Sequence, residues 1–214
     1  GGRLYWLEQG NIVSSSRLDG SQSRVETTVA VRASGIAVDA AGRNLLVAHT
    51  APGAGIDRHV IGPAGLGAAS AAVSTGIADP IDLVTYPGAA GESARVYWVD
   101  RGGVNVLPAV KSAEVEGENE DVIEYTGPLT ELQGRFTGIS ITGDGSRLFW
   151  SKESGNDDVA AYVDLIDGAR IQEFVISPNL DPIGILHLPI AERVWLTSQI
   201  NGTVVLFEED LQST

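Results

Sequence analysis

A five-residue stretch returns at five places along the chain. The copies are Leu4-Tyr5-Trp6-Leu7-Glu8, Leu45-Leu46-Val47-Ala48-His49, Val96-Tyr97-Trp98-Val99-Asp100, Leu148-Phe149-Trp150-Ser151-Lys152 and Val194-Trp195-Leu196-Thr197-Ser198. All four tryptophans fall inside these copies, and four copies are led by an arginine, Arg3, Arg95, Arg147 or Arg193. A second short stretch precedes the later copies: Gly35-Ile36-Ala37-Val38, Ile81-Asp82-Leu83-Val84, Gly138-Ile139-Ser140-Ile141 and Gly184-Ile185-Leu186-His187. The spacing from Gly35 to His49 is the same as from Gly138 to Lys152 and from Gly184 to Ser198. The second of these units is longer, and its surplus is visible as Pro87-Gly88-Ala89-Ala90-Gly91. Fixed spacing among dissimilar residues marks a repeated structural unit rather than a bias of composition.

The unit reads as strands. Apolar and larger residues alternate over residues 3–8, Gln9-Gly10-Asn11 offers a turn into residues 12–18, and Asp19-Gly20 offers a second turn before the Val- and Thr-rich residues 24–31. With the stretch before each copy, every unit becomes four antiparallel strands carrying the motif on the second. The motif ends recur every 40 to 50 residues or so, the period of a β-propeller blade. Blades bury both faces against their neighbours, which explains aromatic and β-branched residues on both sides of a strand. A sandwich or barrel of regular hairpins supplies no reason for a fixed four-strand repeat. The expected fold is all-β: a β-propeller of four-stranded antiparallel blades, one domain over residues 1–214. The chain supplies three strands of a first blade, three full blades and at least three strands of a last, so about five blades are visible. An open final edge would expose unpaired backbone groups. Either five blades are closed by the chain ends, or flanking sequence or another chain completes six. The reading favours a six-bladed ring represented incompletely.

Composition narrows the partners. The formal charge of −14 argues against nucleic acid and anionic membranes and is compatible with a cationic partner. No run approaches the ~18 apolar residues of a membrane span, so no membrane insertion is expected. There is no Cys, hence no disulfide and no thiolate site, and the lack of Met suggests a processed N-terminus. Residues 50–67 read as a Gly-, Ala- and Pro-rich loop, with no Lys-Ser/Thr to make it a phosphate loop. Glu114, Glu116, Glu118, Glu120, Asp121 and Glu124 read as a solvated acidic loop whose spacing matches no EF-hand. Residues 128–135 read as a long connection of the kind that overhangs a channel mouth. Asn201-Gly202-Thr203 permits glycosylation of Asn201 if the protein is secreted from a eukaryote, but Asn-Gly between two apolar runs is first of all the preferred two-residue hairpin turn.

Tyr5-Trp6-Leu7-Glu8, Leu18-Asp19-Gly20-Ser21 and Gly35-Ile36-Ala37-Val38-Asp39 together resemble the repeat of the YWTD propellers of low-density lipoprotein receptors. Tyr97-Trp98-Val99-Asp100 is the nearest single copy, and Ile166-Asp167-Gly168 echoes the middle motif. The resemblance implies six blades and binding of proteins through one face of the disc. The unit over residues 137–150 is also similar to that of calcium-dependent sugar lactonases of the gluconolactonase type. That likeness implies an Asn before the aligned Gly and an Asp ending the second strand, both reaching an axial metal. Here Ser34, Pro80, Thr137 and Ile183 stand at the first position, and only Asp100 matches at the second, with Lys152 in the best-aligned unit. A hard cation needs several oxygen ligands, and a cationic neighbour opposes it. No cofactor is therefore expected, calcium being the one candidate.

In a radial arrangement the second-strand ends Glu8, His49, Asp100, Lys152 and Ser198 stand near one mouth of the channel, and they are the candidate ligand-binding residues. No Gly-x-Ser-x-Gly elbow and no Cys supports catalysis, so no catalytic residue is assigned. Ser198, His49 and Asp100 match a triad by residue type only. His59, beside Asp57 and Arg58 in the Gly-rich loop, reads as readily as a surface turn as it does as a site, and His187 reads as a structural histidine in an apolar strand. The functional expectation is a secreted or extracellular module binding a protein or glycan. The alternative is a metal-assisted lactonase or hydrolase on the same fold.

Overall fold

The computed structural model describes residues 2–9, 11–29, 32–39, 41–50, 52–88, 93–115, 121–125, 135–153, 158–165, 171–177, 181–188, 193–198 and 202–208, with backbone alone for 121–125, 172–177 and 207–208. These residues contain strands and turns and no helix, so none long and apolar enough to cross a membrane. Five antiparallel sheets follow one another along the chain, and each is a blade. Blade 1 holds β1 (Arg3–Glu8), β2 (Ile12–Arg17) and β3 (Arg24–Thr28); blade 2 holds β4 (Ala33–Val38), β5 (Asn44–His49), β6 (Gly55–Gly62) and β7 (Gly65–Val73). Blade 3 holds β8 (Pro80–Tyr86), β9 (Arg95–Asp100), β10 (Ala109–Glu114) and β11 (Asp121–Tyr125). Blade 4 holds β12 (Arg135–Ile141), β13 (Arg147–Glu153), β14 (Asp158–Asp164) and β15 (Gln172–Ser177), and blade 5 holds β16 (Pro182–Leu188), β17 (Arg193–Ser198) and β18 (Val204–Glu208). The chain is thus built from β-propeller blades, with every motif copy on the strand expected for it.

The loop expected over residues 50–67 is instead largely strand, because β6 and β7 pair through Gly62 and Gly65 around a tight turn. Small residues on the outermost strand of a blade, where β7 lies, need bury little, so a Gly- and Ala-rich composition was a poor sign of a loop there. The acidic stretch is divided: Glu114 closes β10, Asp121 and Glu124 belong to β11, and residues 116–120 lie outside the described residues. The expected overhanging connection, apart from Arg135, and the Ile166-Asp167-Gly168 echo also lie outside them.

Alternation along the motif strand joins the blades. In β9, Val96 and Trp98 face blade 2 and pack with Leu46, Ala48 and Ile56. Tyr97 and Val99 face blade 4 and pack with Phe136, Leu148 and Trp150. The same rule seats Tyr5 and Leu7 against Leu45 and Val47, and Phe149 and Ala160 against Ile185 and Leu196. The lead-in arginine serves inside the blade: Arg3 and Arg95 reach the hydroxyls of Ser15 and Ser112 on the next strand, and Arg147 bonds Asp164 at 2.7 Å. At the same end of the blade, where Tyr86 pairs with Arg95, the Tyr86 hydroxyl donates to the Asp144 carbonyl at 2.6 Å, bridging blades 3 and 4. Gly145 makes this possible, since its φ is +72° and a Cβ there would stand 2.1 Å from the Tyr86 ring.

The ring is not closed. Leu4, at the position of Val96 and Leu148, is 58% exposed while both counterparts are 0%. On blade 5 the face that other blades bury carries Leu186 at 54% and Val204 at 56% exposure. A groove of about 430 Å³ there is lined by Leu186, Leu188, Trp195, Thr197 and Val204. Leu148→Ala should therefore cost about 2–5 kcal/mol by urea denaturation and Leu4→Ala less than about 1 kcal/mol. Equal losses would show the outer face of blade 1 to be covered in solution. Gly145→Ala should destabilise by about 1–3 kcal/mol through overpacking and its positive φ.

Candidate functional site

Each inner strand begins with a register shift, at Ala33/Gly35 in β4, Pro80/Asp82 in β8, Phe136/Gly138 in β12 and Pro182/Gly184 in β16. These strands run beside one another in order. Their backbones come so close that a Cβ on Gly138 would lie 2.9 Å from Gly184 Cα. The start of each inner strand pairs with the end of the motif strand: Ala33 with His49, Pro80 with Asp100, Phe136 with Lys152 and Pro182 with Ser198. Four of the five candidate residues therefore sit at the same end of their blades, beside the innermost strand. Glu8 ends β1 equivalently, in a blade without a described inner strand.

Their chemistry points largely into their own blades. Glu8 is exposed and accepts the Trp6 indole N–H at 2.9 Å. His49 is buried, with Nε2 3.5 Å from the Asp57 carboxylate and Nδ1 without a hydrogen-bond partner. Asp100 is 0% exposed. Its carboxylate accepts backbone N–H groups from Ala78 and Asp79, both at 3.0 Å, and from Gly102 at 2.7 Å, which ties the loops flanking blade 3. Lys152 is half-buried, and Ser198 is buried with its N–H on the Thr203 carbonyl at 2.9 Å. Asn201 lies outside the described residues, while Gly202 beside it has the positive φ of a turn. His59 is no surface residue: it is buried in β6, and Nδ1 lies 3.1 Å from the Gly67 carbonyl. His187 is buried with its ring stacked 5.5 Å from Phe149, and its N–H donates to Ser140 Oγ at 2.9 Å.

Two features of this mouth escaped the sequence reading. Three residues before the aligned Gly the blades carry Arg32, Asp79, Arg135 and Asp181, so the sign of charge alternates from blade to blade. That position was legible through the repeat, although only the residue directly before the aligned Gly was weighed there, as a metal ligand. The other feature is Asp82: pairing with Val99 puts it, rather than Ile81, where three blades have Gly, which makes Ile81 and not Pro80 the counterpart of Ser34, and it accepts N–H groups from Leu83 at 2.9 Å and Ile139 at 3.2 Å. Burial pushes its carboxyl above the ordinary range, against these two hydrogen bonds.

Blades packed face to face, with unlike polar residues at the same end of each, define the β-propeller class, in which the fold alone assigns no activity. Solved structures agree on the fold. A chain of the nidogen/laminin complex superposes with a TM-score of 0.75 at 17% identity, over 96% of this chain and 71% of its own. A gluconolactonase from Xanthomonas campestris gives 0.70 at 18% identity, over 97% and 69%. TolB from Acinetobacter baumannii gives 0.66 at 11% identity, over 98% and 51%, so the chain spans between half and seven tenths of these neighbours' length. No protein-family model matches the sequence, and no curated protein matches it.

Among the described residues the donor set expected of a lactonase-type calcium site is not assembled. The one acid at a second-strand end that matches, Asp100, already holds three backbone N–H groups, and its counterpart in blade 4 is Lys152. Among the described residues no group of three or more His, Asp or Glu side chains could hold a metal ion.

Removing the Asp100 carboxylate by Asp100→Ala leaves three N–H groups unsatisfied and should cost about 2–5 kcal/mol in urea. The carboxyls should also titrate apart in carbon-detected NMR. Asp144 is held at about 2 by hydrogen bonds from Thr142 and Ser146. Its stabilising contribution is full above the ordinary 3.8 and is lost as pH falls from there through about 2. Asp82 has the opposite sign: its contribution is present at low pH and fades as pH rises through its raised pKa. An Asp82 midpoint at or below 3.8 would contradict its buried setting.

Proposed function

We propose that this chain is a binding module, a propeller of the YWTD receptor-repeat type that is secreted or extracellular and recognises a protein or glycan through the mouth described above. The observation that carries the reading is the change of chemistry from blade to blade at equivalent positions. Glu8, His49, Asp100, Lys152 and Ser198 lie at or next to the ends of the motif strands, and Arg32, Asp79, Arg135 and Asp181 at or just before the starts of the inner ones. A symmetric small-ion cage would repeat one donor, whereas an extended partner meets a different group at each blade. The likeness to a chain of the nidogen/laminin complex supports the same reading at the level of fold. The net charge of −14 favours a partner with cationic regions, drawn by long-range attraction.

The second reading, a calcium-dependent lactonase, is favoured by the gluconolactonase likeness and by Asp100 at the matching position. Two assays separate them. For a partner captured on the immobilised chain and purified, Lys152→Glu and Glu8→Lys should each weaken affinity about tenfold by surface plasmon resonance. Unchanged affinity in both removes the mouth from the interface. Sugar-lactone hydrolysis should be no faster with the chain and calcium than with calcium alone. Calcium-dependent turnover abolished by Asp100→Asn would establish the second reading instead.

A further inference from the structure

In blades 2 to 5 the motif strand is paired on both sides, to the inner strand and to the third strand of its own sheet. Among the described residues β1 pairs with β2 alone, which leaves its inner edge open. Side chains on both sides register this gap. The second and fourth motif positions face the following blade, and they are buried at Leu46 and Ala48, at Tyr97 and Val99, and at Phe149 and Ser151. Tyr5 and Leu7 hold the same positions and pack on blade 2, yet both are only half-buried. On the inner strands the residue paired with the third motif position tells the same story. Leu83, Ile139 and Ile185 are 2%, 2% and 7% exposed, each in a strand that lies beside the inner strand of the preceding blade. Ile36, their counterpart in β4, is half-buried. Tyr5, Leu7 and Ile36 thus line one apolar slot beside an open strand edge.

We propose that the inner edge of β1 is a strand-acceptor site, filled by an extended segment of a protein partner that pairs antiparallel with β1 beside β4. The inner strands β4, β8, β12 and β16 each make this pairing with a motif strand, so the slot continues an interface the chain already uses four times. An open edge presents a row of unpaired N–H and C=O groups, and an added strand satisfies them while its side chains enter alternate pockets. The repeat also gives the chemistry of the occupant. Inner-strand backbones crowd one another: a Cβ on Gly35 would stand 3.0 Å from Asp82 Cα, and one on Gly138 2.9 Å from Gly184 Cα. The occupant's residue facing Gly35 is therefore glycine. Two residues on, on the same side of the strand, a side chain of alanine to valine size covers Ile36, as Ala37 packs with Leu83 and Val84 with Ile139. The segment is thus extended, uncharged at these positions and of the type Gly-x-Ala/Val.

The test uses an acetylated and amidated peptide copying residues 32–39, whose Gly and Ala fall at the two positions that face β4. In calorimetric titration it should bind the chain saturably, and hydrogen exchange of the β1 amides on the open edge should slow at least about tenfold in the complex. Replacing the peptide's glycine by leucine should weaken binding at least about tenfold, because a side chain there overpacks the slot. In the chain, Ile36→Asp should weaken binding about tenfold by placing a charge in that slot. The urea midpoint verifies its fold, and Leu7→Ser serves as the second variant. Leu186→Ser, on the open face of blade 5, should leave peptide binding unchanged. No saturable binding, equal binding of the leucine peptide, or protection arising on blade 5 would overturn the proposal. So would β1 edge amides already protected in the chain alone, which would show the slot filled by the chain itself or by a second copy. The titration involves none of the mouth substitutions, so its failure leaves the mouth reading standing, and failure of that reading leaves this site standing.

Discussion

Burial of blade face on blade face is the interaction on which everything else here depends. A strand with apolar residues on both sides cannot be satisfied by one sheet, so each blade needs a neighbour in front and one behind. Trp98 and Trp150 are fully buried because the preceding blade covers them, and Tyr97 and Phe149 because the following blade does. Where the sequence of blades stops, the corresponding faces become exposed, as at Leu4 of blade 1 and Leu186 of blade 5. The exposed faces of blades 1 and 5 therefore follow from the rule that builds the interior.

The packing also sets the geometry of the mouth. Stacking blades radially brings the inner strands side by side, close enough that Gly138 and Gly184 meet backbone to backbone. Asp82 enters this crowded ring by turning its carboxylate onto amides of its own and the next blade, at the expense of a raised pKa. Asp100 and Asp158 serve the loops instead, each accepting backbone N–H groups from residues just ahead of an inner strand. These bonds give the charged residues beside them fixed places.

Much of this was legible from the repeat. The five visible units, the motif on the second strand and the alternation of faces all follow from spacing and period, since propeller packing is local and nearly one-dimensional. The expected loop over residues 50–67 failed because composition was weighed without asking where in the blade it lay; an outer strand tolerates Gly and Ala. His59 went with that loop and proved buried. At the mouth, residue type alone made Asp100 a ligand candidate. Only its three amide partners show a carboxylate occupied with holding loops.

The sequence by itself determined the unit of structure, because strand periodicity and turn residues act over a few residues and the unit is repeated. Tertiary structure alone decided which polar ends turn inward to the backbone and which remain at the mouth. It also decided that Arg101 crosses to the neighbouring blade and bonds the Phe136 carbonyl. Those outcomes depend on contacts between residues about 35 positions apart or in different blades, set by the rotation between blades, and no local pattern encodes them.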